Sequence, residues 1–155
     1  MKTLRLLLCL VFLLSVNLSL SQEIEEEYPL SDQDIIDNAS LDDLMISCYV
    51  CHNPRIKSHD NMIAPPLISV KYIYKLRYPS KKEFTNKMTA FVLNPDNQKA
   101  IMQGPVMKFG VMPEMPMDET QVRRIAQYIY SHEIEEPIWF SDYFEQKHGI
   151  SWPGQ

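Results

Sequence analysis

Cys48-Tyr49-Val50-Cys51-His52 decides how this chain of 155 residues is read. Two thiols three residues apart can each bond to one of the two vinyl groups of a single porphyrin. The histidine that follows then turns its imidazole to the iron from one side. Other readings of a cysteine pair fit less well. A thioredoxin-like redox pair calls for a strand-to-helix context, and none is evident. A structural zinc site needs four ligands, whereas beyond the motif only His59, His132 and His148 are available, at no matching spacing. A plain disulfide leaves His52 without a role. The motif therefore points to one covalently attached haem c, with its iron.

Working outward, the N-terminal side explains where such chemistry would take place. Lys2 and Arg5 precede an unbroken apolar run from Leu6 to Leu14, and Ser19 and Ser21 have the spacing of a signal-peptide cleavage site. The run is shorter than the ~18 apolar residues that a membrane-spanning helix needs. Residues 1–21 are thus expected to be a signal peptide. The protein would be exported, either periplasmic or associated with the outer side of the cytoplasmic membrane. Cys9 lies inside the run, so the mature chain would hold only Cys48 and Cys51.

Losing Lys2 and Arg5 with the signal, and no acidic residue, takes the net charge from −5 to −7. That sign argues against nucleic acid as a partner. It favours redox proteins with basic docking patches and salt-dependent association. Glu23, Glu25, Glu26 and Glu27 give residues 22–31 the look of a flexible acidic leader.

Helical signals dominate the remainder. Ser31 to Met45 has helical spacing with an expected break near Asn38 to Ser40, where Ser40 and Asp43 resemble a new helix start. His52 to Leu67 reads as a loop through Asn53-Pro54, His59-Asp60-Asn61 and Pro65-Pro66. Ile68 to Tyr78 reads as a short helix. Ser80 and Glu83 have capping-box spacing ahead of Phe84, Met88, Phe91 and Val92, in a helix that should end before Asn94-Pro95. Asp96 is expected to cap a further short helix ending at Gly104-Pro105. Asp118 and Gln121 form a second capping box, and Val122, Ile125, Ala126 and Ile129 mark the apolar face behind it. The fold class is therefore all-α: short helices around a central cofactor that supplies interior surface.

The iron's second axial position has its own candidate. Gly110-Val111-Met112-Pro113-Glu114-Met115-Pro116-Met117 holds three methionines in a stretch that two prolines keep from being helical. A thioether fixed in a rigid loop is a soft neutral ligand that favours reduced iron. Met45, Met88 and Met102 instead have the spacing of core packing.

Together these stretches resemble the class I c-type cytochromes, small single-haem electron carriers. The cysteine motif, Ala64-Pro65-Pro66-Leu67 and Gly110-Val111-Met112-Pro113 ahead of a last helix with Ala126-Gln127-Tyr128-Ile129 stand in that family's order, over roughly residues 32–132. The resemblance implies a cytochrome c-like fold. It implies thioether links at Cys48 and Cys51, with His52 as proximal ligand. It also implies that the Pro65 carbonyl orients His52, and that Met112 is the distal ligand. Met112 is preferred to Met115 because the family's ligand usually stands directly before proline and several residues ahead of the final helix; Met112 stands six residues before the helix-capping Asp118 and Met115, also followed by proline, only three. Ala64 departs from the family's glycine. The segment from Leu67 to Gly110 is longer than in the smallest members, and Phe84, Phe91, Tyr72 and Tyr74 are expected to extend the haem-pocket wall.

The expected organisation is a signal peptide (1–21), leader (22–31), cytochrome c domain (32–136) and aromatic extension (137–155), whose Trp139, Phe140, Tyr143, Phe144 and Trp152 should pack on the domain. No nucleophile, general base or substrate constellation stands out, so the chain reads as a mono-haem carrier of single electrons and not an enzyme. Two alternatives remain open. One is a haem-based sensor or ligand-binding protein. The other is a permanent cytochrome subunit of an oxidase or dehydrogenase in a membrane respiratory complex, with the aromatic tail as interface.

Overall fold

The computed structural model describes residues 31–155. The expected signal peptide and most of the expected acidic leader lie outside the described residues. Six α-helices and no strand occur among the residues described, so the all-α class holds. They are α1 (Asp32–Asp43), α2 (Leu67–Arg77), α3 (Lys81–Leu93), α4 (Gln103–Phe109), α5 (Glu119–Ser131) and α6 (Phe140–His148). None of them is long and apolar enough to cross a membrane.

Local chemistry sets most of the helix ends. Pro65-Pro66 bars helix upstream of α2, because a residue before proline is driven out of the α region. The same rule stops α2 at Tyr78, ahead of Pro79, and α3 at Asn94, ahead of Pro95. Ser80 caps α3, its Oγ accepting from Glu83 N at 3.2 Å and donating to Glu83 Oε2 at 3.0 Å; the reciprocal bond of a capping box, from Ser80 N to the carboxylate, is not formed. Asp118 accepts from Gln121 N at 2.9 Å, but the Gln121 side chain does not turn back to the cap. Its amide donates instead to Asp43 at 2.9 Å.

Two expectations are corrected. α1 runs without a break through Asn38 to Ser40. Ser40 is not a cap; it is buried, and its hydroxyl donates to Ile36 O one turn back at 2.6 Å. That back-bond satisfies the polar group within a continuous helix. The short helix near Asp96 is also misplaced. Asp96 caps only a turn, accepting from Gln98 N at 2.6 Å. The helix itself, α4, begins at Gln103 and runs through Gly104-Pro105. Pro105 falls in the first turn, where backbone N–H groups have no intrahelical partner, so proline is tolerated there.

α5 carries the core. Val122, Ile125, Ala126 and Ile129 are all nearly inaccessible, and each large aliphatic contributes about 1.5–3 kcal/mol on burial. α5 packs most extensively on α3, and then on α1. Leu44, Ile68, Phe84 and Phe140 complete the interior. The extension is part of this core: Phe140 and Phe144 are buried, and Trp152 stands edge-on to Phe140, Phe144 and Tyr72 at centroid distances of 4.9–5.0 Å.

Candidate functional site

α1 does not end as an ordinary helix. Its last turn widens to a π-helical turn, Leu44–Cys48, in which Tyr49 N donates to Leu44 O at 3.1 Å. Such widened turns occur often at functional positions. Leu44 is fully buried and fixes the turn from within. Asp43 fixes it from outside, accepting from Gln121 and pairing closely with Arg124 of α5. Cys48 is then the first residue of a tight reversal, closed by Cys51 N and His52 N on Cys48 O at 3.2 and 2.9 Å. Both cysteines and His52 line one cleft.

The cleft lies among α2, α3, α4, α5 and the loops beside them. Its volume is about 200 Å³, whereas close-packed cores leave few voids larger than a water molecule. Besides the motif its wall is almost wholly apolar: Leu67, Val70, Met88, Phe91, Val92, Ile101, Val106, Phe109, Ile125, Ala126 and Ile129, with Ser47 and Tyr74 the polar exceptions. Ile63 and Val111, both exposed, stand at its mouth.

Pro65, Met112 and Met115 also line this cleft. Every residue singled out from sequence as cofactor-binding is thus brought to one cavity. Gly110 makes the turn into the methionine loop possible. Its φ of 82° and ψ of 178° end α4 in a conformation that residues with a side chain rarely adopt. Beyond it the chain runs to Asp118 without helix or strand, constrained by Pro113 and Pro116 and by Met117 N donating to Met115 O at 2.8 Å.

His52 is held in one tautomer. Nδ1 lies 2.7 Å from Pro65 O. A carbonyl can only accept, so Nδ1 carries the proton and donates it. The lone pair of the neutral ring is then on Nε2, which makes no hydrogen bond among the described residues. Burial lowers the His52 pKa, although the Pro65 carbonyl acts in the opposite sense. The neutral form is the one that ligates. Cys48 is different from a redox-active thiol. Burial, then Asp43 and Cys51, push it up to about 11, whereas reactive cysteines have lowered pKa values. Neither cysteine is in a disulfide.

This donor set suits a haem. The cleft's lining is apolar and brings together two thiols, an imidazole with an unengaged Nε2 and a methionine loop. Among the described residues no three His, Cys, Asp or Glu side chains converge as a metal-binding group; of the side chains lining the cleft, His52 and a methionine are the ones that would hold a haem iron.

Some expected wall residues are elsewhere. Tyr74 and Phe91 line the cleft, but Phe84 is buried behind Tyr74 at 5.8 Å, and Tyr72 belongs to the Phe144 and Trp152 cluster. The reason is register, since α2 and α3 each turn one face to the cleft and another to the core. Met88 packs in the core, as its spacing suggested, whereas Met102 is half-buried, lines the cleft and lies outside the core, and Met45 is exposed. Val106 and Phe109 were not foreseen, because α4 begins later than its sequence implied. The only advance signal was their spacing of three residues.

Comparison of the chain with protein-family models, with curated proteins and with solved structures finds no match.

Proposed function

We propose that this protein is an exported mono-haem c-type cytochrome that carries single electrons between redox partners. The observation that carries the reading is the convergence of Cys48, Cys51, His52, Pro65 and Met112 on one apolar cleft, with His52 Nδ1 engaged by Pro65 O at 2.7 Å. Haem c held there would supply a one-electron iron couple.

The residues' own tasks follow from their chemistry. Cys48 and Cys51 would hold the porphyrin edge through thioether bonds. The Pro65 carbonyl fixes the tautomer and angle of His52, as outer partners of ligating histidines do. Met112 would complete the coordination, and Gly110, Pro113 and Pro116 hold its loop in one shape. The apolar wall excludes water, which lowers the local dielectric and so disfavours the more highly charged oxidised state. A cytochrome c-like fold is part of this proposal; the helix order and the position of the cleft support it.

The permanent-subunit alternative drew on the aromatic tail as an interface. Phe140 and Phe144 are buried by the domain itself, so those rings have already found their partner.

Spectroscopy of the exported, reduced protein under carbon monoxide tests the reading. A carrier with both axial positions filled shows no prompt change in its haem bands. Prompt binding by the native protein would point instead to a ligand-binding haem protein.

A further inference from the structure

The corner that joins α2 to α3 is basic in a chain that is otherwise acidic. Between positions 75 and 87 stand Lys75, Arg77, Lys81, Lys82 and Lys87 against one acidic residue, Glu83, whereas the whole chain carries 15 basic and 20 acidic residues. Lys75 and Arg77 lie in the last turn of α2, and Lys81 and Lys82 open α3. Tyr130 of α5 donates its hydroxyl to Pro79 O at 2.7 Å, and Lys75 Nζ stands 5.2 Å from the centre of that ring. Lys87 Nζ stands 6.0 Å from the centre of the Tyr78 ring. Both ammonium groups therefore flank the Tyr78-Pro79 corner. None of the five cations is paired with a carboxylate among the described residues. Lys75 is half-buried and the other four are exposed. Leu76, between Lys75 and Arg77, is 63% exposed.

We infer that this corner is a docking surface for an anionic lipid membrane, and that it attaches the protein peripherally by the α2–α3 end. Attachment of this kind needs no spanning helix, and none of the described helices is long and apolar enough to span.

The chemistry of the patch favours lipid over a shaped acidic partner. Four of the five cations are lysines, which are point charges on flexible stems. Arginine is the residue that grips a single carboxylate through two parallel bonds. Unpaired lysines around an exposed corner suit a plane of headgroups, in which no anion has a fixed place. Leu76 adds an apolar side chain that can enter between headgroups. Each cation held near an anionic membrane strengthens attachment about fivefold. The net charge of −5 would by itself repel such a surface, so the segregation of charge is what permits binding and sets its orientation. Leu67, at the far end of α2, lines the cleft, and helix rise puts it about 15 Å from Arg77 along the axis. The attachment itself does not depend on haem. Its use, holding a carrier beside membrane-bound redox partners with that end of the cleft clear of the lipid, rests on the haem-carrier reading.

Co-sedimentation of the full exported protein with vesicles tests the inference. Phosphatidylcholine vesicles with about one part in three of phosphatidylglycerol should bind it at low salt, and about 1 M salt, which cuts the screening length to about 3 Å, should release it. Pure phosphatidylcholine should not bind it. Lys81→Gln combined with Lys82→Gln should weaken binding about 25-fold. Both side chains are exposed and form no ion pair among the described residues, so that variant should fold. The control is Lys57→Gln with Lys99→Gln, which removes the same charge from exposed positions outside the corner and should leave binding nearly unchanged. Equal loss from both pairs would show that net charge alone matters and would overturn the docking surface. So would failure of the native protein to bind the anionic vesicles. Binding to poly-glutamate in preference to those vesicles would also overturn it, and would assign the corner to an acidic protein partner. A pyridine haemochrome spectrum of the same samples reads haem separately, so absent haem and absent membrane binding are told apart.

Discussion

His52 Nδ1 donates to the carbonyl oxygen of Pro65, 2.7 Å away and thirteen residues along the chain. This bond leaves Nε2 as the acceptor nitrogen of a ring that lines the cleft. It ties the cysteine motif to the start of α2. Pro65 lies outside the helix, ahead of a second proline that holds it extended, so its carbonyl has no intrahelical partner and is open to His52.

Met112 and Met115 both line the cleft, and Met112 is the distal ligand of the proposed haem. Met112→Ala should open the distal position, so that the reduced protein binds carbon monoxide promptly, and should lower the reduction potential, because a soft ligand to reduced iron is lost. Met115→Ala should change neither. Potentiometry and carbon monoxide difference spectra on both variants check this, and exchanged effects would move the assignment to Met115.

Gly110 holds φ at 82° and ψ at 178°, and a Cβ added there would meet nothing within 4 Å. The cost of Gly110→Ala is therefore conformational and not steric. It should destabilise the protein by about 1–3 kcal/mol. Because the strain sits two residues before Met112, the variant should also weaken methionine ligation. Urea denaturation and the haem spectrum measure the two effects.

Asp43 binds α1 to α5. Burial would raise its pKa, but hydrogen bonds from Arg124 and Gln121 and the Arg124 charge together hold it below the usual 3.8. A depressed carboxylate stabilises the fold above its ordinary pKa, and that stability is lost as pH falls through the folded value. Asp43→Asn should cost about 1–3 kcal/mol at neutral pH. It should also flatten the acid limb of the stability profile, as denaturant midpoints between neutral pH and acid pH would reveal.

Lys71 is a buried lysine whose Nζ donates to His132 O and Gln155 Oε1, both at 2.7 Å. Burial, with Lys75 nearby, brings its pKa down to about 8. The unfolded chain then binds the proton more tightly than the folded one between about 8 and the usual 10.5, so this group makes stability rise with pH over that range. Tyr49 and Tyr74, pushed up to about 12 by burial, act in the opposite sense above 10. The rise should therefore show between pH 8 and 10 in thermal melts. Lys71→Met should abolish it.

Much of the site was legible because its signals are local. The cysteine motif is five residues long, Pro65-Pro66 and the Met112 loop are marked by proline, and α3 and α5 announce themselves by caps. Ser40 misled because a serine can cap a helix or bond back within one, and only its burial distinguishes the two. Gly104-Pro105 misled because the pair suits a helix's first turn as well as its end. The place of His59 could not be read at all. Its neighbours Lys108, Phe109, Trp139 and Tyr143 come from α4 and the α6 region, and no local spacing links them.

Covalent haem at Cys48 and Cys51 is the claim on which the rest depends. The direct test is intact-mass measurement with a pyridine haemochrome spectrum, on protein exported from cells that have the haem-attachment machinery. The account predicts a denatured chain heavier by one haem, with the spectrum of a haem that has lost both vinyl groups to thioether bonds. It also predicts the one-vinyl spectrum for Cys51→Ala. A chain of unmodified mass from those cells, with Cys48 and Cys51 as thiols or as a disulfide, would contradict it.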